Sequence, residues 1–223
     1  GNMIVDLHCD TISEIYKNKG ISLKENDLMI DISKLKKSDV LLQCFAMFAY
    51  LKEVDSPYKY VNELIDLYEE EIEKNSSDIA FAKSCSDIQK NKENNKISAF
   101  LTIEEGEAIE GSIENLIHFY NRGVRMITLT WNFENCIGFG NKRIIENGEC
   151  VGYTPDKDNG LKPFGFEVME KMEELGIIVD VSHLSDAGIY DIIDIAKRPF
   201  VASHSNARAV CNHPRNLTDD MIK

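Results

Sequence analysis

Short runs of β-branched and other apolar residues alternate along the chain with longer amphipathic or charged stretches. This alternation is typical of repeated βα units, whose strands pair in a parallel sheet. The strand-like runs are almost continuously apolar, as expected for strands that are covered on both faces. The pattern therefore predicts an α/β fold. No internal repeat or linker divides residues 1–223, so we expect a single domain.

Six main strands and four clear helices follow from this pattern. The predicted strands are 4–7, 40–49, 97–103, 125–130, 177–181 and 200–203, with a short edge piece at 78–82. The predicted helices are Pro57–Lys74, 112–121, 164–175 and 185–196. The stretch 132–160 has no clean period, so we interpret it as a long βα loop of the kind that often binds ligands. Such a strand set suits either a doubly wound sheet or an incomplete (β/α)₈ barrel.

Charge and hydropathy exclude two classes of partner. Lys and Arg total 25 against 38 Asp and Glu, which gives a formal charge of −13. Because nucleic-acid sites need clustered basic residues, we expect no nucleic-acid partner. No run approaches the length of an apolar membrane span, and the N-terminus has no basic signal-peptide region. The six scattered cysteines suit a reducing compartment, so we expect a cytoplasmic protein without a membrane partner.

Metal-binding side chains recur at the carboxyl ends of the predicted strands. In a barrel these ends form one rim, where active sites lie. Nitrogen and oxygen ligands together suit Zn²⁺ or another divalent transition ion. Five ligands exceed the usual set for one catalytic zinc and suit two metals that share a bridging carboxylate. The candidates are His8, Asp10, Glu104, His183 and His204.

The segments that carry these residues resemble the membrane dipeptidase (renal dipeptidase) family of metallopeptidases, which are amidohydrolase-type barrels. The matching segments run in order across almost the whole chain. They are Val5-Asp-Leu-His8-Cys-Asp10, Leu101-Thr-Ile-Glu104-Glu-Gly106, Gly123-Val-Arg-Met-Ile-Thr-Leu-Thr-Trp-Asn132, Gly176-Ile-Ile-Val-Asp-Val-Ser-His183, Ser203-His204-Ser-Asn and Pro214-Arg215-Asn216.

The resemblance implies a (β/α)₈ TIM-type barrel that hydrolyses the peptide bond of dipeptides with a metal-bridging hydroxide. It implies two divalent ions, for which we expect Zn²⁺, with Mn²⁺ or Co²⁺ as alternatives. A small peptide is then the expected substrate, and a homodimer is one option for the assembly. Residue by residue, His8 and Asp10 would bind one metal, His183 and His204 the other, Glu104 would bridge them, and Arg215 would hold the substrate carboxylate.

The chain departs from the family pattern at three places. A histidine that follows Thr-Leu-Thr in animal members is replaced by Trp131 and Asn132, so Asn132 is our candidate for the catalytic donor to the substrate carbonyl. Glu105 stands at a usual glycine position, and we expect it to face solvent. The sequence ends at Lys223, before the last two strands and a late catalytic aspartate of the family. We therefore expect an incomplete barrel of about six of eight strands that lacks dipeptidase activity by itself.

Two other functions stay open at this point. One is a different amidohydrolase-type reaction, such as opening a lactone or deacylating an N-acyl amino acid, because fold and metals do not choose the substrate. The other is a catalytically inactive fragment that binds metal.

Overall fold

The computed structural model describes residues 4–6 and 40–203. These residues fall into two compact units, and each contains parallel strands joined by helices. The first unit comprises the described residues up to 103 together with 121–125, and the second comprises 104–120 together with 126 onward. The expectation of a single domain over 1–223 stays a prediction.

The first unit contains strands β1 (Ile4–Asp6), β2 (Val40–Phe48) and β3 (Ile79–Phe81) and most of β4 (Ile97–Glu104). They lie in the order β1-β2-β4, with β3 on β4. The pairs β1–β2 and β3–β4 are parallel. Helices α1 (Pro57–Lys74) and α2 (Cys85–Glu93) complete the unit. The parallel sheet agrees with the sequence prediction.

Helix α1 has the bounds that the sequence predicted. Ser56 caps it, because its hydroxyl accepts a hydrogen bond from the Lys59 N–H at 3.2 Å, and Pro57 occupies the first turn. Its apolar face buries Leu64, Ile65 and Tyr68 completely. The Tyr68 ring packs between aromatic rings of β2 and β3, with centroid distances of 5.6 Å to Phe45 and 5.0 Å to Phe81.

The second unit contains a 3₁₀ turn (Gly106–Ile109) and helices α3 (Ile113–Asn121), α4 (Pro163–Leu175) and α5 (Asp186–Ile195). Strand β5 (Val124–Thr128) ends in this unit and pairs in parallel with β8 (Ile178–Asp180). Its core includes Phe119, Leu129, Ile137, Met172 and Ile192, all essentially inaccessible to solvent. Among the described helices of both units, none is long and apolar enough to cross a membrane.

Two local predictions were wrong, and one helix was not predicted. The stretch 132–160 is not all loop, because it contains the antiparallel hairpin β6 (Lys142–Glu146) and β7 (Glu149–Thr154). Helix α2 was not predicted, and its amphipathic signal is weak because Asn91 is its only buried residue. The predicted strand 200–203 is reduced to a parallel bridge between Val201 and Asp180.

Two glycines end helices just before strands and differ in their surroundings. Gly123 follows α3 with φ +100°, and Gly176 follows α4 with φ +87°. Both angles are unfavourable for residues that carry a Cβ atom. A Cβ at Gly123 would lie 2.5 Å from the Phe81 ring, whereas at Gly176 no described atom lies within 4 Å. Position 123 is therefore restricted by space as well as by backbone conformation.

We predict that Gly123→Ala lowers the free energy of unfolding by about 1 kcal/mol or more beyond the loss caused by Gly176→Ala. Both variants bear the left-handed strain of roughly 1–2 kcal/mol, but only the first also overpacks its site. Urea unfolding of the two variants and the wild type measures the difference. Equal losses would show that the Phe81 ring moves aside without cost.

Candidate functional site

Glu104 ends strand β4 and is almost fully buried, with 6% of its surface exposed. The strand before it is apolar and inaccessible over nearly its whole length, which fixes the strand in the core. The carboxylate therefore sits at the carboxyl end of a buried strand, where the sequence analysis expected it.

His183 lies just after β8, in a turn where its own φ is +66°. Its ring is buried, with 3% exposure, and Nε2 lies 3.5 Å from the Glu104 Oε1. Positive φ in a residue other than glycine costs free energy and is typically retained where the surrounding structure demands it. The turn thus brings the imidazole to the Glu104 carboxylate.

This pair can serve as part of a metal site. A buried imidazole nitrogen and a buried carboxylate oxygen are a donor set that fits Zn²⁺ and other divalent transition ions. Within the described part of the chain no group of three or more His, Cys, Asp or Glu forms a complete ligand set. His8, Asp10, His204 and Arg215 lie outside the described residues, so the five-ligand assignment stays a prediction.

A second buried carboxylate, Asp180, holds the turn that carries His183. Its Oδ1 accepts the Ser182 N–H at 3.0 Å and the Ser203 N–H at 3.1 Å. Its Oδ2 accepts the Thr128 hydroxyl at 2.7 Å and the Ser203 hydroxyl. Asp180 therefore connects the end of β5, the His183 turn and the residue that directly precedes His204.

Glu105 is buried, and the expectation that it faces solvent was wrong. Its Oε1 accepts the Glu107 N–H at 3.0 Å and an N–H of the Asn135 side chain. Its Oε2 accepts the Trp131 N–H at 3.2 Å. Burial raises the pKa of Glu105 to about 7, against the opposite effect of these hydrogen bonds. The backbone φ of +94° is a conformation that a glycine at this position would adopt without strain.

Trp131 and Asn132 lie on the segment that Glu105 holds. The Trp131 ring is tilted against the His183 ring, with centroids 6.3 Å apart. The Asn132 side-chain amide donates a hydrogen bond to the Tyr153 hydroxyl at 2.9 Å. Next to them, the Arg143 guanidinium lies 4.9 Å from the centroid of the Phe133 ring. The hairpin β6–β7 therefore contacts the same segment through Tyr153 and Arg143.

Sequence reasoning missed Glu105 and Tyr153 as residues of this region. No local pattern predicts that donors from 131–135 meet Glu105, since these contacts form only in the folded chain. The hairpin that carries Tyr153 did leave a signal. Asn147 and Gly148 both have positive φ, +52° and +78°, and Asn-Gly is the preferred pair for a two-residue hairpin turn.

We predict that Asp180→Ala lowers the free energy of unfolding by about 3 kcal/mol or more, because it leaves four donors without their acceptor. Asp180→Asn should cost about 1 kcal/mol, since an amide oxygen still accepts and the hydroxyls can reorient to accept from the amide. Thermal or urea unfolding distinguishes the two. If both variants lose the same amount, the hydrogen bonds are not the source of the stability.

Comparison with known proteins places the chain among metallopeptidases. A family model described as membrane dipeptidase (peptidase family M19) matches residues 2–223. An uncharacterized dipeptidase of Schizosaccharomyces pombe is 31% identical over 239 aligned residues, which cover 99% of this chain and 56% of that protein. An uncharacterized protein of Klebsiella pneumoniae, from the pqqA 5′ region, is 35% identical over 63% of this chain and 49% of its own length.

Solved structures show the same fold. A metallopeptidase of Rhodobacter sphaeroides, liganded with a phosphinate mimic of the dipeptide L-Ala-D-Ala, matches with a TM-score of 0.87 and 21% identity. That match covers 99% of this chain and 70% of the Rhodobacter chain. An M19 metallopeptidase named dipeptidase AC gives a TM-score of 0.86 at 22% identity and covers 68% of that chain. The predicted α/β fold of the amidohydrolase barrel type is confirmed, over part of that barrel.

The chain spans about half the length of the relatives it matches by sequence, 56% and 49% in the two cases above. The family match nevertheless extends over nearly all of the 223 residues and includes the segments around Glu104 and His183. The chain belongs to the membrane dipeptidase family of metallopeptidases, peptidase family M19.

Proposed function

We propose that the full-length protein containing this chain is a zinc-dependent dipeptidase. The observation that carries the proposal is the buried pair of Glu104 and His183, 3.5 Å apart, in a chain that belongs to a metallopeptidase family. A histidine and a carboxylate that meet at strand ends, out of contact with water, are suited to hold a cation. In this proposal His8 and Asp10 complete one metal site, His204 completes the other, and Glu104 is common to both.

Two divalent ions so held would supply Lewis-acid polarisation of the scissile carbonyl and an activated water. The chain's own residues then have to bind and orient the peptide. The Asn132 amide has two N–H groups, and one of them binds Tyr153, which leaves the second for a substrate carbonyl oxygen. We propose that Asn132 stabilises the negative charge that develops on that oxygen.

Arg215 is the proposed receptor for the substrate carboxylate. A guanidinium binds a carboxylate through two parallel N–H···O bonds, a geometry that a lysine does not reproduce. An enzyme that requires a free carboxylate close to the scissile bond accepts only very short peptides. The dipeptide mimic bound to the Rhodobacter relative is consistent with this substrate class.

A substrate panel tests the proposal. The full-length protein, loaded in turn with Zn²⁺, Mn²⁺ and Co²⁺, is assayed with L-Ala-L-Ala, L-Ala-D-Ala, an N-acyl amino acid and a lactone. Cleavage of dipeptides alone supports the proposed function. Turnover of only the N-acyl amino acid or the lactone would assign another amidohydrolase reaction, and no turnover with any metal would reject an enzymatic role.

We predict that Glu104→Gln abolishes nearly all dipeptide turnover while the protein stays folded. A neutral amide cannot bridge two cations, so their mutual repulsion is no longer offset and the metal content should fall below two per chain. Turnover, circular dichroism and metal analysis of the purified variant check this. Retention of both metals and most activity would reject the bridging role.

The matched control is Glu71→Gln. Glu71 is also a buried carboxylate, with 5% exposure, but it lies on α1 in the first unit. The same substitution there should leave the metal content and turnover unchanged. A loss equal to that of Glu104→Gln would point to general destabilisation.

A further inference from the structure

We propose that Glu105 is a positioning residue of the candidate site, whose carboxylate fixes the segment carrying Trp131 and Asn132 beside Glu104. Its kinetic consequence rests on the proposed dipeptidase function, whereas its structural consequence does not. The residue is next to a candidate ligand along the chain, and the bonds of its side chain end on residues 107, 131 and 135.

The carboxylate joins two chain segments, the 3₁₀ turn that follows β4 and the turn 129–138. It accepts one N–H from the 3₁₀ turn through Glu107, one from the backbone of Trp131, and one from the side chain of Asn135. Two carboxylate oxygens accept several donors and present none of their own. With its side chain fully buried, Glu105 has no water to replace a lost donor.

Asn135 extends the connection along the segment. Its amide also donates to the Leu129 carbonyl at 2.9 Å, and its oxygen accepts the N–H groups of Ile137 and Gly138 at 2.8 and 3.1 Å. Residues 129–138 thus form a closed turn around one side chain. Since the Asn135 side chain is bound to Glu105, the position of the whole turn relative to the end of β4 is fixed.

The backbone around Glu105 is closely packed against residues 128 and 129. The next residue, Gly106, donates to the Leu129 carbonyl at 3.2 Å, and a Cβ atom there would lie 2.5 Å from that carbonyl oxygen. The N–H of Glu105 itself binds the Thr128 carbonyl at 3.3 Å. Main-chain hydrogen bonds therefore fix the backbone of Glu105, and the three donors fix the position of its carboxylate group.

Two features of Glu105 are unfavourable in free energy, its burial and its positive φ. Burial of a carboxylate disfavours its charged form, and a positive φ strains the backbone of any residue with a Cβ atom. The three bonds offset part of these costs, and two of them secure residues 131 and 135. What they secure includes the indole that packs against His183 and the amide we assign to the substrate carbonyl.

Glu105→Gln tests the proposal with almost no change in shape. The amide keeps one accepting oxygen but turns an N–H toward at least one existing donor. We expect the 131–135 segment to shift, with kcat for dipeptides lower by about 10-fold to 100-fold. The change should fall mainly on kcat rather than KM, because the Asn132 contact strengthens as charge develops on the carbonyl oxygen. Metal content should stay at the wild-type value.

Tryptophan fluorescence gives a readout that does not depend on activity. Trp131 is the single tryptophan in these 223 residues, and a Trp131→Phe protein corrects for any tryptophan elsewhere in the full-length chain. We expect the emission of Trp131 to shift to longer wavelength in Glu105→Gln, since the indole loses its fixed position in the folded protein. Glu105→Gly, which removes both the carboxylate and the backbone strain, should give the same shift and provides the test if Glu105→Gln does not fold.

Glu107→Gln is the matched control. The Glu107 carboxylate accepts the Cys136 N–H at 3.1 Å and forms a hydrogen bond with the Cys136 thiol, and an amide oxygen can still accept from Cys136. We expect emission and kcat close to those of the wild type. Unchanged emission in both Glu105 variants, an equal effect in Glu107→Gln, or loss of metal from Glu105→Gln would each overturn the positioning role. If the wild-type protein cleaves no dipeptide, the proposed function fails, and the emission shift alone still decides the role of Glu105.

Discussion

A carboxylate buried away from water must be met by hydrogen-bond donors, and the second unit of this protein is organised around that requirement. Asp180 collects four donors at the end of β8, and Glu105 collects three just after β4. Each set joins a donor two residues away to donors that are distant in sequence. The two buried carboxylates therefore fix the relative positions of strand ends and loops that apolar packing alone would leave adjustable.

The candidate site depends on these two carboxylates in different ways. Asp180 acts on the backbone, since it holds the turn in which His183 adopts its left-handed conformation. Glu105 acts on the facing segment and sets the place of the Trp131 indole beside the His183 ring. The Glu104 carboxylate and the His183 ring lie 3.5 Å apart.

The sequence predicted those helices, strands and strand ends that follow from the periodicity of apolar residues and from their order along the chain. Helix α1 was predicted residue for residue, because its apolar face and its Ser56-Pro57 start are local signals. Buried strands such as β4 were found because continuous apolar runs are easily recognised. The location of Glu104 and His183 at strand ends followed from the same rule. The family resemblance added the pairing of ligands to metals, which no spacing in the chain could supply.

What the sequence did not predict depends on tertiary contacts or on weak signals. Glu105 is a charged residue in a loop, and only the donors of residues 107, 131 and 135 explain its burial. The hairpin β6–β7 has no alternation of buried apolar and exposed polar residues. Its apolar residues Ile144, Ile145 and Val151 are themselves 40, 53 and 56% exposed. The strand predicted at 200–203 is only a bridge at Val201, because apolar residues at its start do not ensure that a neighbouring strand pairs with all of it.

The four bonds of Asp180 also bear on the order of folding during synthesis. Thr128 leaves the ribosome well before Asp180, but Ser203, which supplies two of the four donors, emerges later. Until then the carboxylate lacks half of its partners, and the His183 turn has no reason to stay closed. The nascent chain can complete its first unit early, as N-terminal segments generally do, while the histidine turn is fixed only after Ser203 has emerged. A ribosome that pauses before residue 203 would thus hold a chain whose sheet is largely formed and whose His183 turn is still open.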